Sequence, residues 1–149
     1  MPARGSDPLV GFHFALDVQG AVKGYFTEVG GLGSETDVIE HKIMSEDGKK
    51  EIVQKLPGRF KWGDITLKRG ITAVMDMWDW RKLVEDGDIS NARKNGSIMM
   101  YDESGTLVAQ WDFVNAWPSK VSGPAIQSDS NAFGVEEMTI VHEGIKRMK

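Results

Sequence analysis

The sequence predicts a mainly β fold: an antiparallel β-barrel or sandwich with one flanking α-helix over about residues 72–86. Three observations carry this prediction. Apolar residues recur with period two in eight or more short segments. Glycine clusters and turn dipeptides separate those segments. Only one segment, from Thr72 to Asp86, has helical spacing. Many short strands with a single helix describe a sheet that closes or folds over, with the helix plugging one side or end.

The elements follow in order. Residues 1–8, with two prolines and two charges, read as a flexible N-terminal arm, and 9–149 as a single domain. Phe12, Phe14, Leu16 and Val18 alternate with polar or small residues, which marks a half-buried strand. Gln19-Gly20 turns it into a second strand, Val22 to Val29. Thr36 to Met44 is a third, with Ile39 and Ile43 on one face. Asp47-Gly48 is a hairpin dipeptide, and the strand after it, Lys50 to Lys55, is expected to stop at Leu56-Pro57-Gly58. Phe60 to Arg69 is apolar but changes phase at Gly63-Asp64, which predicts a bulge or two strands meeting at a bend. Ser97 to Tyr101 and Thr106 to Asn115 form a later pair around an Asp102-to-Gly105 turn. Glu136 to Ile145 is the last strand, with Met138, Ile140 and His142 on one face.

The helix has its own signals. Thr72 can cap it, Asp76 suits its first turn, and Gly87 can end it in a left-handed conformation. At about 100° per residue, Ala73, Met77, Trp80 and Val84 form one stripe. Met75 and Trp78 fall off that stripe. Trp78 then either packs under a loop of its own chain or meets another chain, since tryptophan is enriched at interfaces.

Length and composition exclude several classes. A chain of 149 residues favours one domain with a real core. Its 40% hydrophobic and 27% charged residues are those of an ordinary globular protein. A formal charge of −4 gives no general attraction to nucleic acid or anionic membrane. The chain has no cysteine, so disulfides and thiolate zinc sites are excluded. No stretch has the apolar length of a signal peptide core or a membrane helix, so synthesis in a reducing cytoplasm without membrane insertion is expected.

Motifs for chemistry are weak. Gly30-Gly31-Leu32-Gly33 invites a phosphate-loop reading, but such a loop needs a helix N-terminus behind it. Here β-branched residues follow, and Glu35 and Asp37 would repel the anion. The glycines read instead as a bend between strands. His13, His41 and His142 lie far apart in sequence, which is no ligand pattern. Asp86-Gly87-Asp88 starts like a calcium loop, yet Asn91 stands where the glycine and Ser97 where the glutamate belong. No serine sits in a nucleophile elbow, and the carboxylates scatter on positions of solvent-facing parity. No catalytic, cofactor or metal residue is therefore assigned, and no enzyme activity is expected.

What remains distinctive is a polar excursion that contains Asp47 and Gly48 and carries Ile52, Val53 and Leu56 with no home inside one domain. These five residues and Trp78 are the candidate contacts to other subunits. A domain of short strands must also deal with its sheet edges, and pairing with neighbouring copies around a ring would cover them.

Four separated stretches carry a resemblance: FTEVGGLGSETDVIEHK (26–42), LPGRFKWGDITLKRGIT (56–72), WPSKVSGPAI (117–126) and VEEMTIVHEGI (135–145). In this order, over about residues 10 to 147, they resemble the tail tube proteins of contractile phage tails and phage tail-like contractile injection systems, a family similar in fold to the type VI secretion tube protein. The resemblance implies a structural, non-catalytic subunit without a cofactor. It implies homohexameric rings stacked into a tube, enclosed by a contractile sheath protein, with baseplate and terminal cap proteins as further partners. It implies DNA or effector cargo in the lumen and assembly in the bacterial cytoplasm into a virion tail or injection particle. An uncharged to acidic lumen is expected from the chain's charge, with Glu28, Glu40 and Asp112 as candidate wall positions. The alternative is a monomeric β-barrel that binds a small ligand inside.

Overall fold

The structure is a computed structural model, and it describes residues 11–124 and 134–149. The arm expected over residues 1–8 lies outside the described residues. Strands β1 (His13–Val18) and β2 (Val22–Phe26) form the predicted hairpin around Gln19-Gly20, with Phe14 opposite Phe26 and Val18 opposite Val22. Leu16, Val18, Val22 and Phe26 are buried on one face, as period two requires.

The expected strand from Val22 to Val29 is two strands. Thr27 divides β2 from β3 (Glu28–Gly30). Its N–H and its hydroxyl both donate to the Lys68 carbonyl, at 2.9 and 3.1 Å. That clamp turns the chain from β1 onto a new partner, β6 (Ile65–Gly70). Gly31 then bends the chain away at φ +81, with the Asp64 carbonyl oxygen only 1.8 Å from where a Cβ would stand. Only glycine fits there. Ser34, the first residue of the next strand, follows directly, so the glycine run is a bend and no helix receives a phosphate.

Residues Gly33–Gly63 are a separate compact unit, a hairpin of β4 (Ser34–Met44) and β5 (Glu51–Trp62). The other unit is the rest of the described chain. Its remaining elements are α1 (Asp76–Glu85), α2 (Ile89–Ala92), β7 (Lys94–Tyr101), β8 (Leu107–Ser122), β9 (Val135–Val141) and β10 (Gly144–Arg147). Its strands pair antiparallel in the order β2-β1-β7-β8-β9-β6-β3, and β10 also pairs with β8. The path is open, yet its two ends, β2 and β3, are one residue apart in the chain. The sheet therefore curls round on itself, in keeping with the predicted class of mainly antiparallel β with few helices.

β8 is the corner of this sheet. It was expected to end at Asn115 but continues to Ser122. Asn115 has φ 50, and its N–H donates to Asn95 Oδ1 at 3.0 Å. The register slips on both sides of this point, against β7 between Lys94 and Gly96 and against β9 between Pro118 and Lys120. The buried set changes phase accordingly, from Ala109 and Phe113 to Ala116 and Pro118. Such bulges bend a strand so that one chain serves two sheet directions. The last expected strand, Glu136 to Ile145, is likewise divided at His142 into β9 and β10, and the His142 ring centre stands 6.4 Å from that of Phe113.

The helix is shorter than predicted. It begins at Asp76, with Met75 in the capping place and no side-chain cap. Thr72 instead accepts the Val74 N–H at 3.2 Å in a turn before the helix, and Ala73 is exposed. Met77 and Trp80 are buried as expected, and Leu83 packs beside them. The C-terminus is a Schellman cap: Gly87 at φ +81 donates to Val84 O at 3.0 Å and Asp88 to Leu83 O at 2.8 Å. α2, which the sequence did not signal, accepts the Trp80 indole N–H on the Ala92 carbonyl at 2.7 Å.

A buried ion network fixes the helix to the sheet. Arg69 on β6 lies directly opposite Glu136 on β9, and the two are 7% and 3% exposed. Arg69 reaches Glu136 at 3.2 Å and Asp76 at 2.5 Å, and it stands 5.4 Å from the centre of the Phe26 ring. The Trp78 indole donates to the second oxygen of Glu136 at 2.8 Å. Burial works against the Arg69 charge, but Asp76 and then Glu136 outweigh it and raise its pKa. Glu136 thus corrects the expectation that carboxylates occupy solvent-facing parity: it shares a face with Met138 and Ile140 because a cation waits there.

Trp80→Ala is expected to destabilise the isolated subunit by about 3–5 kcal/mol, the cost of a large core truncation. Glu136→Ala should cost about as much, because it strands a buried guanidinium. Urea unfolding of both variants checks these figures, and a loss near zero for Glu136→Ala would contradict the buried pair.

Candidate assembly surface

The β4–β5 ribbon is built from residues that suit a strand but have no core to enter. Its register runs from Ser34 opposite Trp62 to Met44 opposite Glu51. β5 does not stop at Leu56-Pro57-Gly58, which corrects the sequence expectation. Proline is tolerated because every strand of a two-stranded ribbon has a free edge. An extra residue on β5 is absorbed as a bulge opposite Thr36–Val38.

The tip is Ser45 to Lys50. Ser45 N–H donates to Lys50 O at 2.8 Å, and Gly48 has φ 68. Asp47 accepts hydrogen bonds from the Ser45 hydroxyl and from the Lys49 N–H. These two bonds hold its carboxyl below the usual pKa. At the base, Gly63 N–H donates to Gly33 O at 2.9 Å. Beside it Lys61 pairs with Glu35 at 2.9 Å, a contact that raises the lysine's pKa.

The register sorts the ribbon's side chains onto two faces. Ile39 stands opposite Leu56 and Ile43 opposite Ile52, with His41 and Gln54 between them. Those four aliphatic side chains share one face. Val53, opposite Lys42, and Val38, opposite Pro57, are on the other, as are Phe60 and Trp62, whose rings meet edge to face at 4.8 Å. All of the three predicted contact residues on β5 are exposed: Ile52 43%, Val53 49% and Leu56 43%. The structure therefore brings Ile52 and Leu56 together, places Val53 behind them, and puts Asp47 and Gly48 at the tip.

Trp78 does not belong to this group. It is on α1, half-buried, and its indole N–H is committed to Glu136. Sequence reasoning missed that on β4 Ile39 is exposed and Ile43 only half-buried, because their shared parity reads as a core face. It also missed Ile71 and Val74, exposed in the lead into the helix, whereas Met75, read as lying off the core stripe, is exposed too. No signal marked the first two, since the helix was expected to start between them. The histidines are distributed over β1, β4 and the β9–β10 join. Among the described residues no three histidines or carboxylates gather into a metal site. No helix among them is long and apolar enough to cross a membrane.

Comparison with curated protein sequences finds no significant match. Comparison with solved structures finds many. The fold is similar to a chain of the cryo-EM structure of an extracellular contractile injection system, the PVC sheath–tube complex in the extended state, at 24% identity and TM-score 0.72, over 97% of this chain and 93% of that one. It is similar to a chain in the cap of the anti-feeding prophage, AFP, at 22% identity and TM-score 0.72, over 100% and 96%. Hcp1 from Flavobacterium johnsoniae is more distant, at 18% identity and TM-score 0.54, over 91% and 94%. The T4-like virus tail tube protein gp19 family matches residues 10–146, which takes in both the curled sheet and the exposed ribbon. This chain is a member of that tail tube family.

Proposed function

We propose that this protein is the subunit of the inner tube of a contractile particle, with six copies in a ring and rings stacked into a conduit for DNA or protein cargo. The observation that carries the reading is the β4–β5 ribbon. Two-stranded ribbons alone are marginal in water. This one exposes large aliphatic side chains on both faces. Exposed apolar surface of that kind is suited to contact with another protein. In a tube built from one kind of subunit, that protein is another copy.

The ribbon then reaches the adjacent ring or subunit. The tip with Asp47 and Gly48 leads, and Ile52, Val53 and Leu56 bury against the neighbour. Trp78 contributes packing from its exposed edge alone, because its N–H is already used. A contact made by one surface of a subunit on a different surface of the next is heterologous, and repetition of it yields rings and filaments. Residues 9–149 act as one building block in this reading.

The similar chains come from a sheath–tube complex, a terminating cap and a baseplate. They support a contractile sheath, a baseplate and a cap as the tube's partners; assembly in the bacterial cytoplasm is part of the same proposal. The part is structural, and no side chain is assigned to catalysis. The described interior also disfavours a ligand-holding barrel, since Trp80, Phe113, Leu16 and Met138 fill it.

Deleting Asp47–Glu51, or replacing Ile52 and Leu56 with lysine, should leave the sheet unit folded but abolish polymerisation. Circular dichroism and negative-stain electron microscopy read the two properties separately. Normal tubes from either variant would refute the ribbon's role. Trp78→Ala should lower the melting temperature of the isolated subunit as well as weaken assembly, because Glu136 loses a partner; an unchanged melting temperature would place Trp78 wholly in the interface.

A further inference from the structure

We infer that His41 makes the ribbon contact pH-sensitive. With a neutral ring, the aliphatic face of β4–β5 buries against a second copy of the chain; with a protonated ring, that face returns to water. The inference rests on the ribbon contact proposed above and adds to it the condition under which the contact holds.

The position follows from the ladder register. On β4 Ile39, His41 and Ile43 share a face, and the residues opposite them on β5 are Leu56, Gln54 and Ile52. Side chains opposite each other across a ladder are direct neighbours, with Cβ atoms about 4.5–5.5 Å apart. The four aliphatic side chains therefore stand at the corners of this face, and His41 and Gln54 fill the row between them. His41 is exposed in the single subunit, as are Ile39, Ile52 and Leu56. A partner that covers the four corners covers the middle row with them, so the imidazole is buried in the contact.

Nothing on this face is placed to compensate a second proton on the ring. A buried imidazolium needs a carboxylate beside it, because burial disfavours the charged form. Glu40 is the nearest acid in the chain, but it lies on the other face, opposite Lys55. Lys42 is also on that other face, opposite Val53. Along β4 the next acid on the same face is Asp37, four residues away or roughly 13 Å at strand spacing. Beyond it Glu35 is already paired with Lys61 at 2.9 Å. Toward the base β5 adds a further cation, Arg59. Toward the tip, Lys50 closes the turn opposite Ser45, and the Asp47 carboxylate is occupied by the Ser45 hydroxyl and the Lys49 N–H.

Gln54 suits the neutral ring. Its carboxamide can accept from a ring N–H or donate to a bare ring nitrogen, and a neutral imidazole offers one of each. It has no charge with which to offset an imidazolium. The other two histidines are placed differently. His142 is half-buried beside Phe113 at the join of β9 and β10, and His13 begins β1. Among the three, His41 is the one on the ribbon.

The direction of the effect follows from proton linkage. The covered ring excludes a proton that the exposed ring accepts, so the free subunit binds more protons than the assembled one. Assembly is then strongest above about pH 7 and weakens as pH falls through the range near 6.5 in which an exposed imidazole titrates. Each subunit added to the polymer covers one His41. Once the free ring is protonated, affinity per subunit falls by up to about tenfold for each further pH unit. Ordinary carboxylates titrate near pH 4, so histidines are the side chains that change charge over this window.

Sedimentation of the full chain tests the inference, with the subunit left in the supernatant at equilibrium as the readout. Between pH 7.5 and 5.5 the free wild-type concentration should rise on the order of tenfold and return when the pH is restored. His41→Gln should hold it within about twofold over the same range, while His13→Gln should keep the wild-type response. His41→Lys carries its charge at both values and should raise the free concentration already at pH 7.5. If His41→Gln fails to assemble, His41→Leu serves the same purpose with an apolar side chain. A wild type indifferent to pH, or a His41→Gln variant that responds as the wild type does, overturns the switch. Isolated subunits should keep their circular dichroism at pH 5.5; its loss there would put the acid response in the fold and also overturn the switch. The ribbon contact is judged separately by the lysine variants of Ile52 and Leu56 at pH 7.5. Normal tubes from those refute the contact and the switch with it, whereas their failure to assemble beside a pH-indifferent wild type removes the switch alone.

Discussion

Arg69 stands where β2, β6, β9 and the start of α1 meet, and the need to satisfy its charge organises all four. A buried guanidinium is costly unless carboxylates and hydrogen bonds surround it. Here Glu136 faces it across the ladder, Asp76 comes from the helix, and the Phe26 ring lies beneath. Gly24 on β2 faces the same guanidinium, and a Cβ there would stand 3.9 Å from Arg69 Nη1. The helix begins at Asp76 because that carboxylate is tied to Arg69. A one-residue slip of β9 against β6 would bring a residue of the opposite face to Arg69, so the pair also fixes register. Trp78 completes the arrangement by taking the free oxygen of Glu136.

The curl of the sheet has different, local causes. Thr27 hands the chain from β1 to β6 through two bonds to one carbonyl. Asn115 and Pro118 bend β8 where its neighbours change. Both devices let a single segment serve two sheet directions, and they make a curled sheet from strands that are individually regular. The face inside receives Trp80 and Met77 from the helix.

The β4–β5 ribbon follows the opposite rule. Many of its apolar residues stay exposed on both faces, so little within its own unit compensates for ordering it. An element of that kind makes sense when its partner is another subunit, as membership of the tail tube family implies. Under the proposed function, stability of the subunit and competence for assembly would rest on separate residues: Arg69, Glu136 and Trp80 on one side, Ile39, Leu56, Ile43 and Ile52 on the other.

By itself the sequence determined the class of fold, most strands, the turns at Gln19-Gly20 and Asp47-Gly48, the glycine cap of the helix and, through four separated stretches, the family. Each of these depends on neighbours within a few residues, where period-two alternation and backbone preference act directly. Only the tertiary structure decided where β8 ends, where the helix starts, which carboxylate is buried and which of two isoleucine-bearing faces has no core to enter. Parity states that Ile39 and Ile43 share a face, but not whether anything covers it. Parity likewise places Glu136 beside Met138 and Ile140, but its burial depends on Arg69, 67 residues away in the chain. Long-range partners of this kind alter the free energy of a site without leaving any local mark in the sequence around it.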